Sequence, residues 1–204
     1  MAARRRAIEP VQARAQATRE QLIAAAADLL GEIGIERLST NLICARAGVT
    51  PPAFYRYFKD KYAILEELGE RLMEAQNQAI LPLLDRDDLD VTEDDLRALI
   101  LASIEITDAF PGGAWVLRAL RAVPALQHVR IESHRRMSAL IAKAVAQRNG
   151  RVSAQAALQA RLLIDMGYAA IELAFDEPGL KRGALAKTSA QALATLVEAL
   201  RAQS

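Results

Sequence analysis

Ser39-Thr40-Asn41-Leu42-Ile43-Cys44-Ala45-Arg46-Ala47-Gly48-Val49-Thr50, continuing as Pro51-Pro52-Ala53-Phe54-Tyr55-Arg56-Tyr57-Phe58-Lys59-Asp60-Lys61, is the stretch that decides this fold. Ser39 carries the hydroxyl of a helix N-cap, and Gly48 can take a positive φ without steric cost. The spacing therefore predicts a helix over 40–47 that stops in a turn at Gly48. A second helix starts after Thr50. Its leading prolines, Pro51 and Pro52, are tolerated because first-turn amides have no intrahelical acceptor. Cys44, four residues before Gly48, falls where the two helices cross and where only a small side chain fits. Ile43, Val49 and Phe54 supply the core beneath the turn. As the single cysteine of the chain, Cys44 makes no internal disulfide and reads as a small packing residue.

Upstream, Leu22, Ala26, Leu29, Leu30 and Ile33 mark one face of a helix over 18–33, with Thr18 and Gln21 at capping-box spacing and Gly34 as its stop. Three helices of about sixteen, eight and seven residues around such a turn have the proportions of a DNA-binding helix-turn-helix. Downstream, Phe54, Tyr55, Tyr57, Phe58 and Tyr62 hold five of the nine aromatic residues, interleaved with Arg56, Lys59 and Lys61. Phe54 and Phe58 share a face at i and i+4 and read as core. Tyr55 and Tyr57 lie off that face, so burial explains them less well. Charge is split in the same place. Residues 1–61 hold ten Lys/Arg against six Asp/Glu, a net +4, which leaves −3 for the other 143. A basic front on an acidic body fits a polyanion-binding end; a solvated basic tail is the plainer alternative.

The rest of the chain reads at helical period: 61–82, a helix opened by Thr92 and Asp95, 115–122, 124–150, 153–175 and 184–202. No alternating stretch is long enough for a sheet, so the chain is expected to be all-α with about nine helices. The expected domains are a basic flexible arm over 1–17, a helix-turn-helix head over 18–62 and an effector-binding and dimerisation body over 63–204. The acidic linker 85–95 contains Asp85-Arg86-Asp87-Asp88, but lacks the turn glycine and closing glutamate of a calcium loop. With one cysteine and two histidines, His128 and His134, no metal site and no cofactor are expected. No apolar run reaches the roughly 18 residues of a membrane span and no apolar stretch follows Arg4-Arg5-Arg6, which reads as a cytoplasmic protein without membrane partners.

The chain resembles the tetracycline-repressor-like (TetR) transcriptional regulators. The likeness rests on Thr18-Arg19-Glu20-Gln21-Leu22-Ile23, Gly34, Ser39, Ile43, Ala47-Gly48-Val49-Thr50 and Phe54 to Lys61, and covers roughly residues 18–65. Residues 66–204 match in architecture alone. The resemblance implies that the third helix enters the major groove of duplex DNA. It implies phosphate contacts from Tyr55, Tyr57 and Lys61, to which Arg19, Ser39 and Thr40 are added as candidates. Pro51 and Pro52 stand where the family commonly has lysine and glycine, and Ala53 where it often has a hydroxyl. Base reading is therefore expected from apolar contact of Pro51 and Ala53 with thymine methyls, helped by Thr50, Asn41 and Arg56. The arm with Arg4, Arg5, Arg6 and Arg14 is a candidate for further groove or phosphate contact.

For the body, the resemblance implies a homodimer through the last two helices, about 153–175 and 184–202, and a palindromic operator. The small-residue and aliphatic content of those helices, more than one buried stripe requires, agrees with a second packing partner. Phe110, Trp115, His128, His134, Met137 and Tyr168 are the candidates for an effector pocket suited to a small hydrophobic or aromatic molecule. The expected function is a ligand-responsive repressor, not an enzyme: no nucleophile elbow, phosphate-cradling glycine loop or metalloprotease motif is present. The alternative is a helical dimeric scaffold without sequence-specific DNA binding.

Overall fold

Local signals set the limits of most helices. In the computed structural model, which describes residues 2–86, 90–149 and 151–202, α2 spans Thr40–Ala47. The Ser39 hydroxyl accepts from the Leu42 amide at 3.3 Å, and Gly48 closes the helix at φ 67°. α3 spans Pro51–Phe54 and is shorter than the seven residues expected; the chain continues through hydrogen-bonded turns, Tyr57 N to Phe54 O at 2.9 Å and Phe58 N to Phe54 O at 3.0 Å. α4 (Lys61–Leu84) is capped by Asp60, whose carboxylate accepts from the Tyr62 and Ala63 amides. α5 (Glu93–Ala109) opens on the Thr92/Asp95 capping box. α6 (Gly113–Ala122), a 3-10 turn at Pro124–Leu126, α7 (Gln127–Asn149), α8 (Ala154–Asp176) and α9 (Arg182–Arg201) follow. The described residues contain nine α-helices and no strand.

The first helix differs from expectation. α1 runs Ala2–Arg37, broken at Gly34 (φ 71°), so it does not begin at Thr18. Thr18 is mid-helix, its hydroxyl donating back to the Arg14 carbonyl at 3.0 Å, and Gln16 bonds Glu20 one turn on. Alanine, glutamine and arginine are good helix formers, and they carry the helix through residues read as an arm. The side chains of Arg4, Arg5 and Arg6 lie outside the described residues, as do Asp87 and Asp88 of the acidic linker. α4 likewise runs past Pro82, which sits exposed in its last turn and leaves only the Gln78 carbonyl without its helical partner.

One core joins head and body. Leu22, Ala26, Leu30, Ile43, Phe54, Ile64, Leu65 and Leu68 close the head, and α4 carries the same apolar face on to Leu72 and Met73. Two close approaches dock α6. A Cβ on Gly112 would stand 2.6 Å from the Ala27 carbonyl of α1, and one on Gly69 of α4 would stand 2.6 Å from a Leu120 methyl of α6. No single described helix is long and apolar enough to cross a membrane.

Candidate nucleic-acid interface

The turn between α2 and α3 presents a convex edge. Thr50, Pro51 and Pro52 are exposed and Ala53 is half-buried; Asn41 is exposed on α2 and Thr40 half-buried at its start. Thr50 caps α3 through its carbonyl, not its side chain, so its hydroxyl is left for another partner. Phe54 and Phe58 are buried, with ring centroids 5.8 Å apart, and they fix the loop from beneath. Tyr55 stands edge-on to Phe54 and is 57% exposed, while Tyr57 is half-buried against the core. Arg56 and Lys59 are exposed and have no ion-pair partner among the described residues. Cys44 is buried, as its packing role requires, and burial pushes its thiol up. Two tyrosines, two cations without an ion-pair partner among the described residues and an exposed polar-apolar turn thus follow one another along one stretch of chain.

Three expected phosphate contacts are engaged inside the protein. Arg19 forms a two-pronged bond to Glu67 of α4, and Arg71 bonds both Glu67 and Glu20, so α1 and α4 are tied by a four-residue network. Hydrogen bonds to Arg19 and Arg71 respectively hold Glu67 and Glu20 below the usual carboxylate range. Lys61 donates to the Ile35 and Leu38 carbonyls at 3.2 and 3.0 Å, closing the frayed end of α1. The Ser39 hydroxyl oxygen serves its own helix. Lys59 and Arg37 go the other way: both are exposed cations, and neither is among the phosphate contacts expected above. For Lys59 the signal was the run of cations around the aromatic cluster.

In the body, an apolar cavity of about 80 Å³ lies among α4, α5, α7, α8 and α9, bordered by Leu84, Ile100, Ile164, Tyr168, Ile171 and Val197. Of the six expected pocket residues it includes Tyr168 alone. Trp115 lies elsewhere, its ring covering Gly34 and stacked beside Arg118. His128 is exposed and bonds Glu66 at 3.0 Å. Phe110 caps α5 and packs on the core, and Met137 is buried without reaching the cavity. His134 faces a separate polar groove. The cause is one of residue type: a pocket lined by ordinary aliphatic side chains leaves no mark that separates it from core. Beside the cavity runs a buried polar chain, also unread in the sequence. Gln76 donates to Thr107, Asn77 donates to Ser133 at 2.9 Å, and the Tyr168 hydroxyl donates to Asn77 at 3.3 Å. No cluster of metal-ligating side chains occurs among the described residues.

Residues 22–68 match the model of the bacterial regulatory proteins of the tetR family. The class A tetracycline repressor from transposon 1721 in Escherichia coli is 38% identical over 66 residues, which is 32% of this chain and 31% of that one. The class C repressor of Escherichia coli is 39% identical over 72 residues, 35% and 32% of the two chains. The match thus spans about a third of the length of these relatives, both tetracycline repressor proteins. The whole fold is also shared. A tetR-family regulator from Streptomyces coelicolor superimposes with a TM-score of 0.69 at 19% identity, covering 93% of this chain and 84% of the other. The SmeT–triclosan complex gives 0.61 at 26% identity, covering 86% and 90%. The chain thus carries an amino-terminal segment, residues 22–68, that matches the tetR-family regulatory proteins, on a body that shares the fold of tetR-family regulators.

Proposed function

We propose that this chain is a dimeric repressor that binds a palindromic operator and releases it when a small apolar effector enters the body. The observation that carries the reading is the exposed edge of Thr50, Pro51 and Pro52 flanked by Tyr55, Arg56 and Lys59, with no internal partner for the two cations among the described residues. Tyr55, Tyr57, Arg56 and Lys59 serve the phosphates, and Lys61 keeps one of its three protons for the same use. Thr40 at the start of α2 joins them on the phosphates, and Asn41, Thr50, Pro51 and Ala53 face the bases. Since Pro51 and Ala53 offer only methylene and methyl surface, the half-site contains thymine and adenine.

The dimer forms through α8 and α9. Leu158, Leu162, Met166 and Leu173 make a stripe along α8, exposed by 41–54%, and a continuous apolar ridge of that kind marks a contact surface. The effector takes the cavity, whose walls carry no charged side chain. SmeT, a neighbour of this fold, has been solved as a complex with triclosan. At about 80 Å³ the cavity has room for about six water-sized spheres. A larger ligand therefore binds best to a body whose helices have moved apart, and it shifts the population toward that state. Leu84 at one end of α4 borders the cavity, while Lys61 at the other holds α1, so displacement of the wall tilts the head.

Binding of the protein to the promoter fragment upstream of its own gene, titrated with salt and competitor DNA, tests the reading. Operator selection then tests the base contacts: Pro51→Ala and Ala53→Gly should change the preferred bases, and an unchanged preference removes the thymine-methyl account. A scaffold without DNA recognition would show no salt-dependent, sequence-selective binding.

A further inference from the structure

A second concavity lies between α7 and α8, outside the apolar cavity and opposite in character. Arg130, His134 and Ser138 line it from α7, one turn apart on a single face, with Arg135 beside them; Arg161 and Asp165 face them from α8. Two buried polar atoms there have no partner among the described residues. The Arg130 Nε–H and the His134 Nε2 are both cut off from solvent and unbonded, although His134 is 99% buried, with a relative exposure of only 1%.

The tautomer of His134 follows from its other nitrogen. Nδ1 lies 2.5 Å from the Asp165 carboxylate, and burial holds the imidazole below its ordinary pKa, against the pull of Asp165. The ring is therefore neutral near pH 7 with its proton on Nδ1, and Nε2 presents a lone pair. Arg161 and Asp165 pair with each other, and Glu172 at the edge pairs with Arg121. Arg130 and Arg135 have no carboxylate partner among the described residues. The groove thus offers two uncompensated guanidinium groups, which want an anion, beside one acceptor, which wants a hydrogen-bond donor. An unbonded buried polar group is unfavourable, and a donor and an acceptor left so in the lining of one groove define what would satisfy them.

The geometry points to a binding site for a small hydroxycarboxylate: Arg130 and Arg135 swing onto its carboxylate, and that movement uncovers Nε2 of His134 to accept from its hydroxyl. The groove residues of α8 lie about a quarter turn from the Leu158–Leu162–Met166 stripe, so the proposed dimer leaves the site beside its seam. Tyr168 stacks on His134 with ring centroids 4.2 Å apart and forms a wall of both the groove and the apolar cavity. An occupant of the groove therefore presses on the same side chain as an occupant of the cavity.

The test uses the full chain and the fact that it has two histidines, one buried and one exposed on Glu66. Malate is titrated into isotopically labelled protein up to about 10 mM, a range that captures weak site binding, and both imidazole signals are followed. The expected result is a saturable shift of the His134 Nε2 resonance with His128 unmoved. Succinate, which lacks the hydroxyl, should bind several-fold more weakly. Arg135→Gln, an exposed change that spares the core, should weaken malate about tenfold through loss of a charge-assisted bond, and Arg130→Lys should weaken it while keeping the charge. Absence of a saturable shift, as when ordered water alone fills the groove, overturns the proposal. An equal shift with chloride at matched ionic strength also overturns it. Neither outcome bears on operator binding, which is measured without these anions.

Discussion

Gly48 and Gly112 form a matched pair that isolates the contact between α1 and α6. Both adopt φ 67°, so an alanine at either position carries the same left-handed backbone penalty, about 1 kcal/mol. Their surroundings differ. A Cβ at Gly48 meets nothing within 4 Å, whereas at Gly112 it meets the Ala27 carbonyl oxygen at 2.6 Å, a backbone atom that no rotamer change can move aside. Gly112→Ala must lift α6 from α1 and adds an overpacking cost of about 1–3 kcal/mol. In a chain of this length, roughly 2–4 °C is lost per kcal/mol. Gly48→Ala should thus lower the melting temperature by about 2–4 °C, and Gly112→Ala by roughly 4–16 °C, at equal protein concentration. Melting followed by circular dichroism gives the difference. The single tryptophan, Trp115, lies 38% exposed over Gly34, and its emission should shift to longer wavelength in Gly112→Ala alone. Equal melting temperatures for the two variants would refute the claim that α6 is docked on α1 through that glycine.

Acid should loosen both the α1–α4 network and the start of α5. Glu20, Glu67 and Asp95 all sit below their ordinary pKa because they accept hydrogen bonds from arginines, and Asp95 from Thr92 as well. Groups so depressed contribute fully above their unfolded values, about 4, and lose that contribution as pH falls. The melting temperature should therefore drop below about pH 4, and Glu67→Gln should flatten that acid limb. At the DNA face, Arg56→Ala and Lys59→Ala should each lower the salt slope of operator binding by about 1, read by fluorescence anisotropy across a salt series. In the body, Leu162→Glu places a charge in the exposed stripe of α8. It should weaken self-association at least tenfold in sedimentation equilibrium, the order expected for a desolvated unpaired charge, while the monomer keeps its helix content.

The parts of the fold legible in the sequence are those fixed within a few residues. Ser39 and Gly48 bound α2, and the Thr92/Asp95 pair starts α5, because a cap is a local hydrogen bond between near neighbours. Thr18 shows the limit of that logic. A threonine three residues before a glutamine fits a cap, but the same hydroxyl can bond back one turn inside a helix, and spacing alone does not choose between them. The interface residues were legible by type, while their internal partners were not. The internal acceptors of Arg19 and Lys61, Glu67 forty-eight positions away and the carbonyls of residues 35 and 38, lie in no local pattern. Tyr55 and Tyr57 were separated from the core by helical phase alone, and the structure leaves them exposed and half-buried respectively. In the body, histidine and tryptophan drew attention by rarity, while the cavity was made from leucine, isoleucine and valine.

The Leu120 methyl set against Gly69, together with the Arg19–Glu67–Arg71–Glu20 network, has a bearing on protein engineering. A designer wishing to transplant this reading head onto a foreign sensor would be tempted to cut after residue 62. That cut leaves behind the counterions of α1 and the two helices it leans on. The transferable cassette instead ends after α6, near residue 122, where the chain has already wired its reader to its lever.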